Sequence, residues 1–381
     1  MLAESPMPWE DEPMDFAQAG LLDGLEGERR AAREQLLAQL VDDGFSLDEL
    51  KAAVAENRLA LLPVERVLGS AYTARELERR AGLPASLLLR IRRLTGLPEA
   101  GPDDRVFGEE DIAAAESTKR FLEAGLPEDV VFEITRVIGE GMSRAAATTT
   151  TGVADAFLQP GDTERDVALR YASLTEQLLP SLTPVLVSIF KAHLREGVRR
   201  GMLGRTELES GQIADAQEMA ICFADLVGFI RLGGELEVEE LGTVASRLAD
   251  LATQVTFPPV RLVKTIGDAA MFVSPNPASM VAVALSLVGV VEENELPSLR
   301  AGVACGPALV RAGDFYGHTV NLASRVTGTA RPGSVLCTAD VHEAARAEFQ
   351  WSFVGPQRLK GVSEPVRLYR ARELAPGEWR R

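Results

Sequence analysis

Cysteine is nearly absent: the 381-residue chain has three, Cys222, Cys305 and Cys337, none in CxxC spacing. An odd number in apolar, strand-like surroundings argues against a disulfide framework and against a zinc site. Long apolar runs are missing too. The longest, Met280 to Val291 with Ser286 inside it, is shorter than the roughly 20 residues that cross a bilayer, so no membrane span is expected. The start of the chain, Met1 to Glu12, lacks the basic residues and apolar stretch of a secretory signal. Its prolines and acidic residues suggest a disordered tail, and the expected location is the cytoplasm. Positive charge is in deficit, with a net charge of -16. Such a chain repels polyanions unless a local patch overrides the total, so nucleic acid is not the default partner. No long internal repeat is visible, which excludes a solenoid.

What is present divides in two. A chain of 381 residues exceeds what one hydrophobic core usually organises. A hydrophobic content of 46% and a mean hydropathy of +0.02 fit a soluble globular protein. Up to about Arg205 the sequence reads as helices: Leu, Ala, Arg and Glu dominate, and apolar residues recur at three and four. Thr148–Thr151 interrupts this texture and is expected to be a frayed end or a loop. A long candidate helix over Leu182–Arg200 leads to a seam near Arg199–Arg205. From Glu218 onward short runs rich in Val, Ile and Phe, such as Met219–Phe223, Val260–Val263 and Ala269–Val273, alternate with helical segments at Glu239–Thr253 and Ala278–Val291. That is an α/β pattern. The expected domains are a helical one over residues 1–205, with a connecting helix at about 182–200, and an α/β one over 213–375. Most of the acidity sits in the first, with 24 basic against 35 acidic side chains, compared with 16 against 21 in the remainder.

Three stretches of the second half carry chemistry. In FADLVGF at 223–229, an apolar run ends in Asp225 and is followed by Val227-Gly228-Phe229 and helix-favouring sequence. The implied order of strand, carboxylate, tight turn and helix offers backbone N–H groups at Gly228 and Phe229 to a triphosphate, with Asp225 beside them to hold a metal. In VKTIGDA at 263–269, Asp268 lies at a predicted hairpin where Gly267 supplies the unusual backbone angles. A lone Asp in either place is ordinarily structural. As a pair they suit hard divalent cations, which prefer carboxylate oxygen. In GDFYGHTVNLASR at 313–325, Asn321 and Arg325 stand four apart in a helix-compatible run, so both emerge on one face. Arg brings a permanent charge and a planar fork of donors suited to phosphorus in transit, and Asn can orient a ribose oxygen.

These motifs in this order, with LKGVSEPV at 359–366, resemble the class III adenylyl cyclase catalytic domain over roughly Glu218–Arg372. The resemblance implies a ferredoxin-like α/β domain. It also implies two divalent ions, Mg2+ or Mn2+, held by Asp225 and Asp268, a transition-state pair Asn321 and Arg325, and ATP as substrate. Lys264 and Asp314 stand at the positions of the adenine selectors. The chemistry agrees, because Lys can donate to adenine N1 and Asp can accept from the N6 amino group. Lys360 is a candidate to reach the triphosphate, though a surface lysine is an equal reading. Members of the family are head-to-tail homodimers with sites shared across the interface, so a homodimer is expected by resemblance alone. Two departures stand out: Ile230, where relatives often carry Thr, and His318, where a small residue or Pro is common.

In the helical half, Ala71–Pro84, Leu87–Leu97 and Arg105–Ile112 resemble the winged helix-turn-helix of MerR-type regulators. Between Ala71 and Pro98 six arginines (75, 79, 80, 90, 92 and 93) face two glutamates (76 and 78), enough for a basic patch. The same geometry is a common packing unit, and a module that does not bind DNA is favoured here. The rival reading is a MerR-like DNA-binding regulator with an inactive nucleotide-binding domain. The layout as a whole resembles mycobacterial cyclases whose helical half is autoinhibitory and pH-responsive, which implies inhibition relieved by acid. His193, on the connecting helix among Lys191, Arg195, Arg199 and Arg200, is the candidate proton sensor. Carboxylate clusters are the alternative sensor, and an apolar helical domain can also hold a lipid effector.

Overall fold

The computed structural model describes residues 15–200, 216–229 and 238–374. The chain forms two compact units, Met1–Met202 and Leu203–Arg381. The seam expected at Arg199–Arg205, the boundary at 205–213 and the departure at Ile230 lie wholly or partly outside the described residues.

The first unit is helical: α1 (Gly27–Asp42), α2 (Leu47–Ala55), a 3-10 turn at Leu59–Leu61, α3 (Leu62–Leu68), α4 (Ala74–Ala81), α5 (Ala85–Leu94), α6 (Glu110–Glu123), α7 (Glu128–Phe157) and α8 (Glu164–Arg200). Starts are set by local chemistry. Ser46 and Thr73 each close a capping box with the Glu three residues on, satisfying N–H groups that a helix end leaves open. One core gathers Leu21, Leu22, Leu36, Leu37, Leu40, Leu50 and Leu59. A second holds α4, α5 and α6 together through Leu77, Leu83, Leu88, Phe107 and Ala115.

Two expectations are corrected. Thr148–Thr151 is not a loop but part of α7, where the hydroxyls of Thr148, Thr149 and Thr150 each donate to the carbonyl four residues back, all at 2.9 Å. Those bonds let threonine sit inside a helix without competing for another backbone shape. The connecting helix is also longer than 182–200: α8 spans 37 residues and runs through Pro180 and Pro184.

The helix-turn-helix segment forms as α4, a turn with Gly82 in the left-handed region (φ 69°) and α5, closed by a bridge between Tyr72 and Phe107. Five of its six arginines are engaged inside the unit. Arg75 pairs with Asp103 at 2.9 Å and Arg93 with Glu99 at 3.2 Å. Arg80 and Arg90 stack on the rings of Tyr72 and Phe132, and Arg92 donates to the Pro98 carbonyl. Their donors are directed at this unit's own groups, which weakens the case for a phosphate-reading face.

The second unit begins β1 (Ala216–Leu226), α9 (Val238–Gln254), β2 (Arg261–Ile266), β3 (Ala269–Ser274), α10 (Pro277–Glu293), β4 (Leu299–Arg311). These strands lie in the order β2-β3-β1-β4, all antiparallel, the double split βαβ of ferredoxin-like folds. The chain continues through β5 (Asp314–Tyr316), α11 (His318–Thr329), β6 (Ser334–Thr338), α12 (Ala339–Ala344), β7 (Gln350–Gln357) and β8 (Val366–Arg372), extending the sheet with β6, β8 and β7 while β5 pairs with β4. Alternation along the strands supplies two cores. Cys222, Ala224, Phe272, Val303 and Cys337 pack with α9, α10 and α12 on one face; Ile221, Met271, Val273, Ala304 and Phe315 pack with α11 on the other. Burial alone pushes the Cys222 thiol up to about 12, as expected of an inert packed thiol.

α11 lies directly on β4 because Gly302 has no side chain. A Cβ there would come within 2.2 Å of the Thr327 backbone nitrogen, while the Thr327 hydroxyl donates to the carbonyl of Phe223 at 3.1 Å. Gly302→Ala should therefore lower stability by about 1–3 kcal/mol, the usual range for overpacking. Urea unfolding checks this, and a midpoint equal to wild type would contradict the close approach.

At the α12 end, His342 stacks on Tyr369 (ring centroids 4.0 Å apart) and meets the edge of Trp351 at 5.0 Å. Its Nδ1 is buried without a hydrogen-bond partner. Burial, and then the charge of Arg346, lower its proton affinity from the ordinary 6.5; Glu343 opposes them, and Arg367 adds the smallest lowering effect. Folding thus disfavours the protonated ring. This site's contribution to stability is intact above pH 6.5 and is lost as pH falls through the lowered folded value. Melting curves from pH 7.5 to 5 should fall less steeply for His342→Phe than for wild type; parallel curves would remove His342 from the acid response.

Candidate active site

Register brings the acidic pair together. Asp225, at the end of β1, lies opposite Ala269 of β3 on one side and Arg300 of β4 on the other. Asp268 occupies the β2–β3 turn beside Gly267, whose φ of 56° is in the left-handed region. The Leu226 N–H donates to the Asp268 carbonyl at 3.0 Å, pinning that turn to β1. Asp225 pairs with Ala269, the residue after Asp268, so the two aspartates stand on neighbouring positions of adjacent strands. The Asp268 carboxyl is raised above the usual carboxylate range first by burial and further by the charge of, and a hydrogen bond with, Asp225; its own backbone N–H and Arg300 act the other way.

Arg300 is a residue that motif reading missed. Its Nη2 and Nε donate to Asp225 Oδ2 at 2.6 and 3.0 Å, and its Nη1 reaches the Gly328 carbonyl at 3.4 Å. The signal was an isolated Arg in the apolar, small-residue run Leu299-Arg-Ala-Gly-Val303. Both of its bonds go to Oδ2, so Asp225 Oδ1 and the Asp268 oxygens are the ones left to meet a cation. No third His, Cys, Asp or Glu completes a metal cluster among the described residues. Two close carboxylates with like charge suit magnesium-like ions, which keep several waters and take one or two carboxylates plus substrate phosphates.

Lys264 of β2 and Asp314 of β5 form an ion pair, although they are fifty positions apart. Through the sheet register, Lys264 stands level with Gly302, whereas Asp314 pairs with Arg311, nine positions further along β4. On a flat strand that is about 30 Å, so the contact requires the β4–β5 ribbon to curl back. Gly306, with φ 153°, lies in the curl, where Thr319 of α11 donates to the Pro307 carbonyl at 2.8 Å.

Asn321 and Arg325 are exposed on α11, one turn apart as their spacing predicted. His318, its first residue, is exposed too. Gly228 (φ 82°) is exposed in the turn after β1, and Phe229 packs against the larger core. The Val227 N–H is committed to the Ser298 carbonyl at 2.8 Å. Lys360 is exposed in the turn before β8, next to buried Leu359. His193 is exposed on α8, in the other unit.

A ferredoxin-like sheet with paired aspartates at the mouth of β1 and a Lys–Asp pair at the ribbon defines a class III nucleotidyl cyclase domain. Residues 14–198 match the adenylate cyclase regulatory domain and residues 212–371 the adenylate and guanylate cyclase catalytic domain. The chain is 42% identical to the pH-sensitive adenylate cyclase MT1302 of Mycobacterium tuberculosis, over 93% of this chain and 91% of that protein. It is 33% identical to an adenylate cyclase of Streptomyces coelicolor, over 76% and 77%. A crystal structure of the adenylyl cyclase CyaB from P. aeruginosa aligns with a TM-score of 0.39 at 18% identity, over 42% of this chain and 98% of that one. The chain belongs to the class III adenylate cyclase family.

The carboxylate pair makes a stability prediction. With its proton affinity raised in the folded chain, Asp268 contributes stability below pH 3.8 that is lost as pH rises through the folded value. At pH 7 and without divalent metal, Asp268→Asn should melt slightly higher than wild type. Mn2+ or Mg2+ is expected to raise the wild-type melting temperature, by the equivalent of about 2.7 kcal/mol at a hundredfold excess over Kd, and Asp268→Asn should lose that rise. A variant that Mn2+ still stabilises as much as wild type would contradict Asp268 as a ligand.

Proposed function

We propose that this adenylate cyclase converts ATP to 3',5'-cyclic AMP and pyrophosphate, in the cytoplasm and as a homodimer, under control of its helical unit. The observation that carries this reading is the approach of Asp225 and Asp268 beside Arg300, on the same domain as a joined Lys264–Asp314 pair. Two divalent ions, Mg2+ or Mn2+, would be held by Asp225 and Asp268 and supply activation of the 3'-hydroxyl and neutralisation of the triphosphate. In the reaction O3' bonds to the α-phosphorus, the bond from that phosphorus to the bridging oxygen breaks, and the hydroxyl proton is released. Arg325 faces the charge gathering on the α-phosphorus and Asn321 orients the ribose. Arg300, next to the carboxylates, is placed to meet phosphate oxygens when a cation takes over Asp225, with Gly228, Phe229 and Lys360 as further phosphate contacts. Lys264 and Asp314 read the adenine edge.

Asn321 and Arg325 are exposed in the single chain, as sites shared between two chains require. The helical unit is read as autoinhibitory, with acid relieving the inhibition. Two features support this: the similarity to a relative named for pH sensitivity, and the exposed position of His193 on α8. Carboxylates are the alternative sensor. A lipid remains a candidate effector because Ile134, Ile138 and Met142 of α7 and Ile189 and Phe190 of α8 are exposed.

Cyclic AMP formation from ATP with Mn2+ or Mg2+ should be detectable and should rise on acidification in the full chain. It should be flatter with pH in a chain beginning at residue 203; no product from either at any pH would reject the enzyme reading. An unchanged pH profile in His193→Ala would shift the sensor to the carboxylates. Asp225→Ala and Asn321→Ala proteins should each be inactive, yet their equimolar mixture should recover about a quarter of wild-type activity, because half the dimers are mixed and each has one intact site. Silence despite demonstrated mixed dimers contradicts shared sites.

A further inference from the structure

Strand β2 breaks its own alternation. Residues three apart on a regular strand point to opposite faces. Here the pairing with β3 runs Arg261 to Val273, Leu262 to Phe272 and then Lys264 to Met271, leaving Val263 as an extra residue. That bulge sets Arg261 and Lys264 opposite two residues of one face. Val273 and Met271 both belong to the core beneath α11, so the two cations share the side onto which the β4–β5 ribbon curls. There they hold consecutive residues. The Arg261 guanidinium carbon lies 5.2 Å from the centre of the Phe315 ring, and Lys264 pairs with Asp314. Phe315 is 4% exposed, and its backbone N–H donates to Asp314 Oδ1 at 2.9 Å. Ring, N–H and carboxylate therefore move together.

We propose that Arg261 is a positioning residue for base selection: from the bulge at Val263 it clamps the Phe315 ring, and so holds the Asp314 carboxylate where the amino group of adenine meets it. The inference rests on the reading of Lys264 and Asp314 as the adenine-reading pair. Lys264 alone is a point charge on a flexible stem and follows Asp314 wherever it goes. Arg261 acts on the ring instead, through the negative face of its π-system, and keeps its grip when Lys264 turns from Asp314 toward a base. A site that discriminates by hydrogen bonds to a base edge depends on where its acceptor stands.

The test measures kcat/KM for ATP and for GTP with the full chain, and the ratio of Kd values where turnover is too slow. Arg261→Ala should lower the ATP-to-GTP ratio about threefold to tenfold, the size that a partly buried cation–π contact supports, and Arg261→Lys should restore most of it. In an Asp314→Ala background, where the ratio is already collapsed, Arg261→Ala should change nothing further. If Asp314→Ala collapses the ratio and Arg261→Ala leaves it intact, Arg261 has no such role and the selector reading stands. If Asp314→Ala leaves the ratio intact, the selector reading and this inference fall together. An equal loss in both backgrounds, or no rescue by Lys, overturns the clamp. Should Arg261→Ala fail to fold, Arg261→Met keeps the packing stem, removes the charge, and is held to the same outcomes.

Discussion

Two carboxylates held within reach of one another are expensive for a fold, and this domain is organised around keeping them there. β1 sits between β3 and β4, so Asp225 at its end meets the Asp268 turn from one side and Arg300 from the other. An edge strand would offer one neighbour only. The Leu226 N–H to the Asp268 carbonyl holds the turn from the backbone. Burial first, and then the charge of Asp225, raise the proton affinity of Asp268, and Arg300 offsets part of this while donating to a single oxygen of Asp225. The site is thus strained toward binding positive charge, a usual cost of a preorganised polar site.

The same sheet fixes the position of the helix that carries the proposed transition-state pair, and does so through an absent side chain. Gly302 lets α11 settle on β4, and Thr327 ties it to the Phe223 carbonyl two residues before Asp225. The helix that carries Asn321 and Arg325 is therefore registered against the strand that carries Asp225. In a dimer with shared sites, the backbone joining one chain's proposed metal residues to its proposed transition-state residues would couple the two sites. Displacements of about 1 Å at such a contact matter, because reactions of this kind depend on alignment.

Local chemistry was legible in the sequence; chemistry assembled by topology was not. Asp225 and Asp268 drew attention only as a pair, since a lone carboxylate closing an apolar run or following Gly in a hairpin is ordinarily structural, and the strand register then sets them on neighbouring positions. Asn321 and Arg325 followed from helical spacing. The Lys264–Asp314 pair came from resemblance, since nothing local says that a ribbon curls back over about 30 Å of strand. Arg300 and Arg261 escaped notice because their partners lie on other strands, and the bulge at Val263 leaves no mark in composition. Thr148–Thr151 misled in the other direction: polar side chains suggest a loop until their hydroxyls find carbonyls one turn back. Proline misled likewise in α8, where the helix outlasts two residues that each remove a backbone bond.

That helix limits how regulation can work. α8 is about 55 Å long, and from Glu176 to Arg199 every residue except Leu182 is exposed. Pro180 and Pro184 each disfavour helix by roughly 3 kcal/mol, and little packing within its own unit offsets that. The helical state of this stretch is the one most open to bias by whatever it meets. A proton on one exposed side chain such as His193 changes surface electrostatics by about 1 kcal/mol at most, a factor of about five in an equilibrium constant. A steeper acid response would need several groups to titrate together, and the helical half of this chain carries the larger acidic excess. Any response steeper than that factor would therefore have to add carboxylates of the helical half to His193.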